Sequence, residues 1–141
     1  MQLSGIYLAL STVLCLGYTY YMVFAPKTLL ERYGTTYNLQ SEEGKLAKRM
    51  MQYLGACMFV FGFIFGHMLP KAEHHKRGVR TAVMIFAMFL ACACHGAFFD
   101  GKASEKAKAA AVQNVKLMGA FTIWGVVCLI MGMPKDDTKV E

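Results

Sequence analysis

The sequence predicts an all-α membrane protein of four antiparallel transmembrane helices in a bundle, with the second and fourth extended beyond the bilayer on one face. Three observations predict it. Hydrophobic residues make up 56% of the 141-residue chain and charged residues only 17%, where a soluble domain carries about a quarter. The charges gather in a few short stretches. Between those stretches lie apolar runs of about 20 residues, the length that crosses a hydrocarbon core about 30 Å thick. A chain of this size has room for one domain, so residues 1–141 form a single transmembrane unit with spans near 3–24, 50–69, 81–99 and 117–133.

The first span runs from Leu3 to Phe24 and ends at Ala25-Pro26. It lacks a basic segment ahead of it and a small-residue cleavage site after it, and its apolar part is too long for a signal peptide. It therefore reads as a retained helix. Tyr18, Tyr20 and Tyr21 cluster near its end, at the headgroup level where aromatic rings prefer to lie. A polar loop follows, in which Thr28 to Tyr33 form a short amphipathic turn at the interface.

The second helix starts before its apolar run. Ser41 is placed to cap it, and Glu42 and Glu43 suit the positive end of the helix dipole. Lys45, Lys48, Arg49 and Gln52 continue a polar stripe at helical spacing. Pro70 ends the run. A short basic loop carries Lys71, His74, His75, Lys76, Arg77 and Arg80. The third span then reaches Phe99 and stops at the Asp100-Gly101 turn signal. The fourth helix also starts early, capped at Ser104 and rich in strong helix formers through Ala111. Pro134 closes it and a polar tail, 134–141, follows.

Nine of the Lys and Arg residues fall on the side of the first and third loops and six on the side of the termini and second loop. The positive-inside rule then sets the first and third loops inside and both termini on the less basic, outer side. The net charge of +6 belongs to segments flanking the spans, as attraction to anionic headgroups requires, so nucleic acid is excluded as a partner.

Each candidate for chemistry weakens on inspection. Cys92, Cys94 and His95 suggest a metal or haem, but positions 92 and 94 point about 200° apart on a helix, and two ligands do not close a zinc site. His67 and His95 lie near opposite ends of their spans, roughly 20 Å apart in depth, too far to share one haem. No metal or cofactor is therefore assigned. An ionisable residue inside a span is nonetheless the first place to look for function, which singles out His95 as a cofactor or ligand contact. All five cysteines, Cys15, Cys57, Cys92, Cys94 and Cys128, lie in apolar spans and read as reduced, small hydrophobes. No Asp or Glu lies inside a span, which demotes proton-driven transport. No nucleotide loop or catalytic triad is present, and the reading leans away from an enzyme.

The remaining polar residues read as contacts with lipid or partner. These are Lys45, Lys48, Arg49 and Gln52 on the second helix, His74, His75, Lys76 and Arg77 in the second loop, and Lys116 on the fourth helix. Arg49 and Gln52 share a face, and with Asn114 and Lys116 they are expected to form a cluster suited to a lipid headgroup or a quinone-like head. Gly62 and Gly66 form a G-x-x-x-G pair with Gly55 one heptad earlier, and Cys92 and Gly96 form a similar small pair. Such residues let helices approach closely in lipid, so Gly55, Gly62, Gly66 and Gly96 are expected to be packing positions.

The layout of span one, a proline-containing turn, Tyr33-Gly34, and then Arg49 and Gly55 leading into span two resembles small four-helix membrane proteins of the DoxX-like kind. That resemblance implies a four-helix bundle and assigns no activity. The function expected from the sequence is that of a non-catalytic accessory subunit of a larger membrane complex, for instance a respiratory complex of the mitochondrial inner membrane, with lipids and other membrane subunits as its partners. The alternative is a stand-alone binder of a lipid or hydrophobic small molecule, in a pocket lined by His95, Tyr53 and Trp124.

Overall fold

The structure is a computed structural model that describes residues 2–32, 38, 40–101 and 104–131. The expected turn markers Tyr33 and Gly34, together with Lys102, Pro134 and the polar tail, lie outside the described residues. The described chain is helical throughout, with no strand. Its helices are α1 (Leu3–Phe24), α2 (Pro26–Arg32), α3 (Glu42–Met68), α4 (His75–Cys94) and α5 (Glu105–Met131). A 3-10 turn, Ala72–His74, precedes α4, and a π-helical turn, His95–Phe99, continues it. Four segments, Leu3–Phe24, Glu42–Met68, Ala72–Phe99 and Glu105–Met131, are long and apolar enough to cross a membrane. The chain is an all-α, multi-pass membrane bundle.

Local chemistry sets the helix ends. Ser41 caps α3, its hydroxyl accepting from the Gly44 N–H at 3.1 Å, and Ser104 caps α5 in the same way through Ala107 at 3.2 Å. Both helices therefore begin well before their apolar runs, as the sequence implies. Helix α4 also starts earlier than its hydropathy suggests. Residues 75–80, read as loop, form its first turns. Gly78, Val79 and Ala82 are buried there, and the packing of that face outweighs the solvation of Lys76, Arg77 and Arg80 on the other.

The bundle is organised around α1. Its buried positions include Ser4, Leu8, Ser11, Cys15 and Met22, which recur three, four or seven residues apart and form one seam that Tyr7 widens. The matching seam on α3 is Gly55, Met58, Gly62 and Phe65. A Cβ added at Gly55 would meet Val23 and Met22 at 2.8 and 2.9 Å, and one at Gly62 would meet Leu16 at 3.2 Å and Cys15 at 3.3 Å. These glycines let two antiparallel backbones lie close, which is how helices gain dispersion contact where lipid offers no hydrophobic drive. Helices α4 and α5 form a second tight pair, and α1 lies against both. Three hydroxyls on α1 are satisfied by their own helix: Ser11, Thr12 and Thr19 donate to carbonyls four residues back at 2.8–2.9 Å. Thr19 also lies 3.2 Å from the Gly55 carbonyl across the seam.

Packing differs between the two ends. At the end holding the N-terminus and the α3–α4 connection, Tyr7, Leu8, Phe65, Val79 and Phe86 are fully buried. Tyr7 stands edge-on to Phe86 and Trp124, with centroids 6.5 and 5.7 Å away, a favoured aromatic geometry. Here α1 and α5 cross closely because position 125 is glycine: a Cβ on Gly125 would lie 2.6 Å from the Tyr7 hydroxyl and would also collide with Val83. Toward the opposite end α1 and α5 part, and the bundle opens into two cavities.

Candidate functional site

The larger opening, about 520 Å³, lies between α1, α2 and α5. Its origin can be traced to three local features. First, Gly17 puts no side chain into the gap, and a Cβ there would meet nothing within 4 Å. Second, Ala25 and Pro26 end α1 and turn the chain into α2. Pro suits a first helical position because its fixed φ is helical and its missing N–H would be unpaired there. Third, α2 buries Pro26 and Leu29, which holds this short helix across the end of the gap.

The cleft is graded in polarity. Along the helices, Val13, Leu14, Gly17 and Leu117 line the stretch nearer the middle of the bundle, and Tyr21, Thr28, Leu29, Arg32 and Gln113 line the stretch at its end. Val13, Gly17, Tyr21 and Gln113 are exposed on the bundle surface, so the cleft opens sideways. The Arg32 guanidinium donates through Nη2 to Gln113 Oε1 at 3.0 Å, joining α2 to α5. Among the described residues no carboxylate pairs with Arg32. The nearby Glu31 faces Lys27 at 3.8 Å on the exposed side of α2, a contact worth little at the surface.

A second cavity of about 340 Å³ lies inside the bundle at the same end. Met22, Met58, Met118 and Phe89 bound it, with Gly96 and Asp100 at the π-helical turn. In that turn the Asp100 N–H donates to the His95 carbonyl at 3.1 Å. Such a wide turn inserts an extra residue into the helix and is frequent at functional sites. Tyr18 and Asn114 line both cavities and form the wall between them.

At the other end of the bundle, His75 is almost fully buried. Its Nδ1 lies 3.0 Å from the Ser4 hydroxyl, and its Nε2 lies 2.9 Å from the Leu69 carbonyl. A carbonyl only accepts, so Nε2 carries a proton, and in the neutral ring Nδ1 then accepts from Ser4. His75 thereby ties α1 to the α3–α4 connection. This corrects the expectation that it meets lipid or a partner from a solvated loop: satisfying both ring nitrogens inside the protein draws the imidazole inward.

The other residues singled out in the sequence are scattered. His95 is exposed, its ring 6.3 Å from that of Phe99, and it lines neither cavity. Tyr53 is also exposed, whereas Trp124 packs in the aromatic core, so these three do not share a pocket. Lys48, Arg49 and Lys116 are exposed, Gln52 is half-buried, and Lys45 pairs with Glu42 at 2.7 Å. None of them lines either of these two cavities, and of the expected four-residue cluster only Asn114 does. Lys76 and Arg77 are exposed at the far end, with His74 half-buried beside Glu73. A Cβ added at Gly66 would lie 3.5 Å from Thr12, and one at Gly96 3.7 Å from Ala111. All five cysteines are free, and among the described residues no three metal-ligating side chains converge. Sequence reasoning missed Gly17, Thr28, Arg32 and Gln113. The available signals were a glycine among large apolar residues and an arginine ending an amphipathic stretch.

No curated protein and no solved structure matches the chain. Residues 3–124, which include the linings of both cavities, match the family described as Domain of unknown function (DUF4345), and the chain belongs to that family.

Proposed function

We propose that this protein binds one amphiphile, drawn sideways from the bilayer, in the cleft between α1, α2 and α5. One observation carries the reading: the polarity of the cleft runs parallel to that of the membrane. Its polar rim lies at the end of α1, beside the tyrosines that mark the headgroup level. From there, Leu14 and Val13 descend along α1 while Leu117 descends along α5. A bound molecule keeps its head at the interface and its tail at the depth it had in lipid, so entry strips little hydration from it. The volume falls within the range of about 300–1,000 Å³ usual for small-molecule sites. We place this end on the inner side of the membrane, because most of the Lys and Arg residues flank it.

The competing proposal is the non-catalytic accessory subunit of a larger complex, in an energy-transducing membrane such as that of mitochondria. It draws on exposed apolar faces, Phe59, Val60 and Phe63 on α3 and Met84 and Met88 on α4, which lipid covers equally well. Native mass spectrometry after extraction in mild detergent separates the two. The binder is expected to carry one amphiphile per chain. Stoichiometric partner polypeptides with no amphiphile would favour the accessory subunit instead.

A further inference from the structure

We infer that the head of the bound amphiphile is anionic, a phosphate or carboxylate, and that Arg32 is the residue that recognises it; this rests on the cleft being the binding site. The polar rim is built from donors. Arg32 carries five N–H groups, and its contact with Gln113 uses one. That contact engages the Gln113 oxygen and so leaves the Gln113 NH₂ group, a pure donor, free to turn toward a ligand. Thr28 and Tyr21 add hydroxyls on the same rim. Among the described residues no carboxylate lines this cleft, and the nearest in sequence, Glu31, faces Lys27. A zwitterionic head also offers a phosphate, but it brings a cation near the guanidinium with no lining carboxylate among the described residues to take it. An anionic head neutralises Arg32 and takes charge-assisted bonds from a fork that Gln113 already holds in place. The side chain is positioned before the ligand arrives, which reduces the ordering cost of binding.

The test uses full-length protein, delipidated in mild detergent and titrated with lipids of identical acyl chains and different heads. Phosphatidic acid and phosphatidylglycerol are the anionic probes, phosphatidylcholine the zwitterionic one and diacylglycerol the neutral one. Inorganic phosphate is added alone in a separate arm. The wild type is expected to prefer the anionic lipids by about tenfold or more. Arg32→Gln removes that preference, so that the anionic lipids bind it no better than diacylglycerol does. Because Arg32 is exposed, the variant keeps its unfolding temperature. Arg32→Lys keeps part of the preference. Equal binding of anionic and neutral lipids by the wild type overturns the anionic head while leaving the cleft in place. Binding of every lipid by Gly17→Leu as by the wild type overturns the cleft itself. Stabilisation by inorganic phosphate with none by any lipid overturns the amphiphile as occupant.

Discussion

The Tyr7 hydroxyl is sealed in the aromatic core and closes no hydrogen bond among the described residues, and the nearby Ser11 hydroxyl is committed to the Tyr7 carbonyl. A buried, unpaired polar group costs about 1–3 kcal/mol. Tyr7→Phe is therefore expected to keep or raise stability by up to about 1 kcal/mol in thermal or denaturant unfolding in detergent; a clear loss would show a partner for the hydroxyl. Gly125→Ala is expected to lose about 1–3 kcal/mol through overpacking. Adding Tyr7→Phe should restore part of that loss, because the new methyl collides with the hydroxyl, and a double-mutant cycle reads the coupling. Ser4→Ala strands His75 Nδ1 and should cost about 1–3 kcal/mol. The glycine stripe on α3 was legible in the sequence, because small residues at heptad spacing admit few other uses in lipid. The pairing of His75 with Ser4 was not, because it joins residues 71 positions apart and neither residue carries a periodic signal.

Among the elements, α2 changes the account most. Its sequence announces only a short amphipathic turn, and its importance comes from where Pro26 and Leu29 anchor it. Gly17 is the complementary feature on α1. Replacing it with Leu extends a side chain into the cleft from a Cβ that meets nothing within 4 Å, and helix propensity improves by up to about 1 kcal/mol. Gly17→Leu is thus expected to be at least as stable as the wild type while losing the bound amphiphile, measured by unfolding and by native mass spectrometry on one preparation. Loss of stability together with the ligand would mean that the gap is needed for folding instead. Hydropathy located the four spans, because every backbone group in lipid must be satisfied by a helix. It missed the start of α4, where charged residues look like loop and the buried face at Gly78, Val79 and Ala82 decides otherwise. It also gave no sign of the π-helical turn, which depends on how His95–Phe99 meet α5.

At the scale of the whole molecule, the bundle is tight at the end of its N-terminus and open at the end of α2. That asymmetry was invisible in a sequence whose apolar spans look alike, because it comes from how α1 and α5 cross at Tyr7 and Gly125. Cysteines introduced at Ser41 and Ser104 should react with an impermeant maleimide from the same side of the membrane, and one at Ala72 from the other. Labelling of all three from one side would break the antiparallel bundle. Occupancy of the cleft is read out by where a lipid carrying a diazirine near its head crosslinks to the protein. Crosslinks are expected to concentrate on residues 13–32 of α1 and α2 and 113–117 of α5, and to fall away in Gly17→Leu. Crosslinks spread evenly over the outer faces of α3 and α4, and unchanged by that substitution, would contradict the account.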